Sequence, residues 1–285
     1  MTKIGVVILN YIEYGITIDC INSFCRQTDD NINVKIIVVD NSSPNESFDV
    51  LQNEFKDNLN ISVVKTPKNL GFANGNNYGY NILKEYMDPD FVIFSNSDII
   101  LPENGLYKWI LQCKNDYNFG VLGPSIYSIN GDFYQNPIRS LTTNKKDIEH
   151  MIFDLYKSLF KIRIKILFRK KGKGNHIEKW SNTEYGKFHD DLTLHGAFQI
   201  MSKEYFNKYK EAYDTGTFLY MEEDILRLRC IKSNLRMIYS PDFIVHHLQS
   251  FSTNSNSLNN NKSAYFRVKN MLNSLKRYKD LLEGE

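Results

Sequence analysis

Three carboxylate positions are set where they can do chemistry. Asp98 closes the step Asn96-Ser97-Asp98, between an apolar run at 91–94 and another at 99–101. A carboxylate at the carboxyl end of a buried strand lies where open α/β sheets bind ligands, which suits a cation or a sugar hydroxyl. Asp40 ends a second strand-like, largely apolar stretch, 34–39, and opens the turn Asp40-Asn41-Ser42-Ser43-Pro44. Glu222, Glu223 and Asp224 lie between Phe218-Leu219-Tyr220-Met221 and Ile225-Leu226. Adjacent carboxylates repel, and apolar surroundings raise the pKa of one of them toward general-base work. Plainer readings compete: Asp40 as a loop cap, Asp98 as the start of a turn, the acid cluster as a dipole-stabilised first helical turn. Taken singly, Asp40 and Asp98 fit the plainer reading; paired at two strand ends, they favour a site.

A nucleotide held at Asp40 needs its diphosphate neutralised. Dinucleotide-binding folds use a glycine-rich turn after the first strand, with phosphate on a helix N-terminus. Here that turn reads Asn10-Tyr11-Ile12-Glu13-Tyr14-Gly15, bulky and acidic. The counter-charge must come from elsewhere, and a divalent ion at Asp98 supplies it. Hard, oxygen-preferring Mg²⁺ or Mn²⁺ suits a carboxylate plus phosphate oxygens. Between the two acids runs Asn69-Leu70-Gly71-Phe72-Ala73-Asn74-Gly75-Asn76-Asn77-Tyr78-Gly79, which is neither a dinucleotide fingerprint nor a P-loop. Its glycines allow close backbone approach and its Asn side chains can read a sugar or nucleotide; an ordinary Asn-capped helix start is an equal reading. Leu194-His195-Gly196-Ala197 offers small residues where substrate can approach. His246-His247 ends a strand-like run, with a metal or phosphate role set against simple packing.

The elements that must position these residues alternate in type. Strand patterns at 4–9, 34–39, 61–64 and 91–94 are separated by helical patterns at 14–26, 46–55 and 74–87. Repeated β-α-β units imply a Rossmann-like, mainly parallel twisted sheet with helices on both faces. Further on, 102–115 reads as helix, 120–129 as extended and 131–143 as loop. Strand-like sequence returns at 192–201, helix at 222–233, and two closing strands at 236–239 and 243–247. Beyond Gln249 a Ser/Asn-rich stretch reaches Asn261 and reads as a mobile loop or a lid. A last amphipathic helix spans 264–282, with Val268, Met271, Leu272 and Leu275 on one face.

At 285 residues the chain can bury a full core, as one large domain or two small ones. With 42% hydrophobic and 24% charged residues and a net charge of +2, it is expected to be a soluble protein with no need of nucleic acid. The four cysteines lack metal or redox spacing, which suits reduced thiols in a cytoplasmic protein. No targeting segment or membrane span is visible. Residues 155–177 hold eight Lys or Arg and no acid, interleaved with apolar side chains. Such a segment reads as a surface for anionic lipid or as a solvated helix packed through its apolar face.

Taken in order, Val7-Ile8-Leu9-Asn10-Tyr11, Val39-Asp40-Asn41-Ser42-Ser43, the 69–77 segment, Asn96-Ser97-Asp98, Leu194-His195-Gly196-Ala197 and 218–223 resemble family 2 glycosyltransferases. The likeness covers roughly 3–250 and is strongest to the rhamnosyltransferase-like branch of capsule and O-antigen synthesis. It implies a GT-A fold over 1–250, with a nucleotide-sugar half (1–105), an acceptor half (106–250), and 251–285 as loop plus C-terminal helix. It implies an inverting, metal-dependent transfer from a UDP- or dTDP-sugar to a saccharide or lipid-linked saccharide, in bacterial surface-polysaccharide synthesis at the inner face of the membrane. By this resemblance Asp40 reads the base, and Asn10, Gly71, Asn74 and Asn77 line the donor pocket. Asn96 and Asp98 form the DXD-type step, with the Mn²⁺ or Mg²⁺ resting on Asp98 and His247. His195 and Gly196 lie near the transferred sugar. Glu223 is the base when Tyr220 and Arg229 are kept in register, and Asp224 is its rival. A non-catalytic nucleotide-sugar-binding scaffold on the same fold is the alternative.

Overall fold

The computed structural model of the chain describes residues 1–102, 104–167, 185–249 and 260–284. Strand β1 (Thr2–Asn10) is covered on both sides: Ile4, Val6 and Ile8 enter one core and Val7 the other. That double burial explains why its sequence is a continuous apolar run and not an alternating one. β1 pairs in parallel with β2 (Ile32–Asp40) and with β4 (Phe91–Asn96), and β2 with β3 (Ile61–Lys65). The crossovers are α1 (Tyr14–Cys25), α2 (Ser47–Phe55) and α3 (Gly71–Tyr86). Next come β5 (Ile99–Ile100), α4 (Leu106–Tyr117), β6 (Val121–Ser128), β7 (Phe133–Tyr134), α5 (Lys145–Leu167) and β8 (His189–Asp190). The remainder is β9 (Phe198–Ser202), α6 (Lys203–Phe206), α7 (Glu222–Lys232), β10 (Met237–His247) and α8 (Asn260–Glu283).

Among the described residues the strands form one sheet in the order β3-β2-β1-β4-β9-β6-β10-β5, with β7 added to β6 and β8 to β10. The sheet is parallel through its first half but mixed beyond. β9 runs antiparallel to both β4 and β6, and β6 is again parallel to β10. The expectation of a mainly parallel sheet therefore holds for the β-α-β half only. The two expected closing strands are a single strand, β10, whose register shifts between Tyr239 and Ile244. Pro241 sits in that shift, where it has no N–H to give a ladder. The 192–201 segment becomes strand only at Phe198, because 193–197 is spent building the cleft described below.

One core lies beneath α1, α2 and α4 (Phe24, Leu51, Leu106, Ile110) and another beneath α3 and α7 (Ala73, Leu83, Leu226, Cys230). A third, smaller cluster joins Ile148 of α5, Ile225 and Leu228 of α7, and Leu275 and Tyr278 of α8. It fixes α5 and α8 over the start of α7, where the acid cluster lies. All four cysteines are free thiols. The stretch 250–259, expected as a loop or lid, and the cations at 169–173 lie outside the described residues.

Candidate active site

The carboxyl ends of β1, β2 and β4 bring Asn10, Asp40 and Asn96 to one edge of the sheet; Asn10 is directly in register with Asp40. Asp40 is fully buried, and both its oxygens are engaged. One accepts from Asn10 Nδ2 at 3.0 Å and the other from the Ser43 N–H at 2.9 Å. Asn10 Oδ1 in turn accepts from Thr17 Oγ1 at 2.9 Å. A nucleobase would meet Asp40 only through the lone pairs that these bonds leave.

The Asn/Gly segment at 69–79 is used differently from what its composition suggests. Asn41, read in the sequence only as part of the turn after Asp40, accepts from the Leu70 N–H at 2.9 Å and donates to the Gly71 carbonyl at 3.1 Å, tying β2 to the start of α3. Gly71 has φ +78°, and a Cβ there would lie 2.2 Å from the Phe218 carbonyl oxygen. Only glycine lets this turn touch the 213–218 segment, where the Phe72 N–H donates to Phe218 O at 3.0 Å. Asn74 donates to the carbonyls of Thr215 and Thr217, and Asn77 exchanges two 2.9 Å bonds with Tyr213. In place of an open donor pocket, Gly71, Asn74 and Asn77 form a seam holding the chain that leads into Glu222.

Asp98 lies in the turn after β4, 8% exposed. His247, the last residue of β10, places Nε2 3.1 Å from Asp98 Oδ1 and Nδ1 2.7 Å from Gln135 Oε1. With Nδ1–H donating to Gln135, the Nε2 lone pair faces the carboxylate. In that tautomer the two lone pairs face a common point that a cation can occupy; in the other, Nε2–H donates to Asp98. This donor set fits a divalent ion that takes its remaining ligands from phosphate oxygens and water. Among the described residues no group of three His, Cys, Asp or Glu forms a metal shell by itself. Gln135 had no signal in the sequence, lying in a segment read as loop.

The acid cluster borders a cavity of about 620 Å³. Its walls include Asn96, His195, Gly196, Glu222, Glu223 and Asp224, with Met151 and Leu155 of α5 and Met271 and Leu275 of α8 opposite. Tyr220 and Met221 both have left-handed backbones (φ 72° and 68°), a costly conformation for side chains of this size. The double kink turns the chain into α7 so that its first turn faces the cavity.

The three acids differ in their surroundings. Asp224 Oδ1 accepts from the Leu141 N–H at 3.0 Å and from Thr193 Oγ1 at 3.1 Å. Glu223 Oε1 accepts from the Gly196 N–H at 3.2 Å. Burial, then the charge of Asp224, raises the Glu223 pKa. Burial, then the charge of Glu223, pushes Glu222 up to about 8, and Glu222 Oε1 has no hydrogen-bond partner among the described residues. His195 is pushed down to about 4 by burial and by His247. Its Nδ1 accepts the Ala197 N–H at 3.1 Å, which leaves a neutral ring with Nε2–H as a donor. The structure thus brings Asn96, His195, Gly196, Glu223 and Asp224 to one cavity, with Asp98 and His247 beside His195 (the two rings are 6.0 Å apart).

The sequence profile of Glycosyl transferase family 2 matches residues 5–178. The chain belongs to that family. Asp40 and the Asn96-Ser97-Asp98 step fall within the matched residues. Structural comparison adds the fold. Crystal structures of S. aureus TarS residues 1–349, one in complex with UDP and one with UDP-GlcNAc, align with TM-scores of 0.57 and 0.58. Identity is 12% and 14%, over 99% of this chain and 69% and 70% of those chains. The architecture of this family 2 chain is accordingly GT-A, with a mixed central sheet. Comparison with curated proteins gave no match. Among the described residues no helix is long and apolar enough to cross a membrane.

Proposed function

We propose that this glycosyltransferase moves a sugar from a nucleoside-diphosphate donor, UDP- or dTDP-linked, to a hydroxyl of a saccharide or lipid-linked saccharide, with inversion at the anomeric carbon. The observation that carries the reading is Glu223. It is a half-buried carboxylate with a raised pKa, anchored by one backbone N–H on the wall of a cavity that also exposes Asn96 from the strand end before Asp98. The TarS complexes with UDP and UDP-GlcNAc support a nucleotide-sugar donor on this fold.

Each residue then has a definite task. Glu223 removes the acceptor hydroxyl proton as the oxygen attacks, and the Gly196 N–H holds the carboxylate in line. Glu222, protonated up to about pH 8, keeps a second negative charge away from Glu223 at neutral pH. The neutral His195 offers its Nε2–H to an oxygen of the donor without adding charge. Asp224 holds the 141 and 193 segments by its two accepted bonds, which makes it the weaker candidate for the base. Asp98 and His247 are the residues that would hold Mg²⁺ or Mn²⁺. The ion would supply Lewis-acid stabilisation of the departing diphosphate. A role in bacterial surface-polysaccharide synthesis, within the rhamnosyltransferase-like branch, is part of the same proposal.

The deciding experiment supplies a panel of UDP-, dTDP- and GDP-sugars with Mn²⁺ and measures nucleotide release with and without saccharide acceptors. Glu223→Gln is expected to abolish transfer while donor binding, read by thermal shift, persists. Full transfer by both Glu223→Gln and Asp98→Ala would remove the assigned chemistry.

A further inference from the structure

Helix α5 is apolar on two opposite faces, and the active site uses only one. Met151, Leu155 and Ser158 look into the cavity, and Ile148 joins the small core with α7 and α8. On the other side Phe153, Tyr156, Phe160 and Ile164 recur at helical spacing and are 57%, 48%, 67% and 42% exposed. Four large apolar side chains in one line are a continuous surface, unlike the scattered exposed leucines normal for a soluble protein.

The charges around this strip are mostly of one sign. Lys157 lies 4.1 Å from the Phe153 ring centre, and Lys276 of α8 lies 5.0 Å from that of Tyr156. Lys161 and Arg163 flank Phe160, the latter donating to Tyr265 of α8. The acids nearest the strip are neutralised: Asp154 pairs with Lys157 at 3.1 Å, and Glu149 with Lys279 at 2.8 Å. From Leu155 to the end of α5 there is no acid. Aromatic and aliphatic side chains bordered by long cations form the pattern that seats a helix in a bilayer interface, with rings at the acyl boundary and ammonium groups among the headgroups. The series of cations without an acid from Leu155 to the end of α5 favours a uniformly anionic lipid surface over a protein groove.

We infer that the outer face of α5 docks on an anionic lipid surface, lying in the interface without crossing it. The inference deepens the proposed function, because it rests on the reading of the cavity as the acceptor site. A helix lying on the membrane by one face and lining the cavity by the other brings the acceptor site close to the bilayer surface. The acceptor class that fits is a saccharide carried on a membrane lipid. Its sugar hydroxyl would reach Glu223, and its apolar part would pass along Met151, Leu155, Met271 and Leu275.

The test separates docking from chemistry. The full chain is sedimented with phosphatidylcholine vesicles with or without phosphatidylglycerol, at low and high salt. Binding is expected only with phosphatidylglycerol and is expected to weaken with salt. Phe153→Ser/Phe160→Ser and Lys157→Glu/Lys161→Glu should each lower vesicle affinity by about tenfold or more. The first pair should leave donor hydrolysis in detergent-free buffer unchanged, since neither ring borders the cavity. Wild-type protein that ignores anionic vesicles, or variants that bind them as well as wild type, would overturn the inference. So would a wild-type dimer that Phe153→Ser/Phe160→Ser converts to monomer, because the strip would then be a contact between copies. Wild-type protein that docks on anionic vesicles but neither hydrolyses nor transfers any donor would count against the catalytic proposal and leave the docking inference standing.

Discussion

Gly196→Ala isolates the placement of the proposed catalytic carboxylate, Glu223, from its chemistry. Gly196 is absent from the residues with left-handed backbone, so alanine meets no conformational penalty and tests space alone. The added Cβ would sit 2.8 Å from Glu223 Oε1 and 3.3 Å from its Cδ, where ordinary contact begins at 3.4 Å. The carboxylate must retreat by 3.4 − 2.8, about 0.6 Å, and that movement lengthens the 3.2 Å bond from the Gly196 N–H. Because the obstacle is the end of a flexible side chain, the cost in stability should be under about 1 kcal/mol. The cost in rate is larger: misplacing a reacting group by this distance lowers kcat by about 10- to 100-fold. Glu223→Gln, which removes the proposed base, should cost about 10²- to 10⁴-fold. The assay is nucleotide release at saturating donor with varied acceptor, alongside thermal unfolding. Donor KM should be unchanged in both variants. Wild-type kcat in Gly196→Ala combined with an inactive Glu223→Gln would show that the base does not need its backbone anchor. A large fall in unfolding temperature would show that Gly196 serves the fold.

Other expectations follow from the same contacts. Gly71→Ala combines a left-handed backbone with a collision against a carbonyl, not a side chain, and should cost about 2–4 kcal/mol in urea unfolding. Glu222 keeps its proton up to about pH 8 when folded, against 4.5 unfolded, so the folded state binds the extra proton across that window and stability falls as pH rises through it. Glu222→Gln removes this dependence and should raise the unfolding temperature relative to wild type at about pH 8.5 more than at about pH 5. For Asp214, burial pushes the pKa up, but the Arg277 hydrogen bond, the Gly216 N–H and the Arg229 charge outweigh it and leave it below 3.8. Its contribution is therefore present above about pH 4 and lost as pH falls through the folded pKa. Asp214→Ala should cost about 2–3 kcal/mol at neutral pH, less than a fully enclosed pair because Arg277 is partly solvated. Its acid unfolding should be correspondingly shallower.

The parts legible in the sequence were those governed by local pattern. The strands at β1, β2 and β4 announced themselves because burial on both faces leaves few polar residues to confuse the period, and Asp40 and Asp98 stood out at their ends. The apolar face of α8 was also readable, and Met271 and Leu275 from it do reach the cavity. What was hidden depends on distant partners. Asn74 and Asn77 look like ligand-reading amides, yet their hydrogen bonds go to a segment some 136–143 residues away that no spacing rule connects to them. Gln135 beside His247 and Asn41 beside Leu70 are of the same kind. The direction of β9 was hidden too, since a five-residue apolar strand reads identically in either sense.

Asp214 accepts from Arg229 of α7 and from Arg277 of α8, clasping a late helix to the segment that leads into the acid cluster. During synthesis the strands that carry Asn96, Asp98 and His247 emerge before α8 does. The sheet can therefore pair while the cavity still lacks one wall and Asp214 one of its two cations. A ribosome-bound chain stalled before α8 should be folded at its core yet with the cavity open on the side that Met271 and Leu275 line. The order of translation thus makes this clasp one of the last contacts the chain can form.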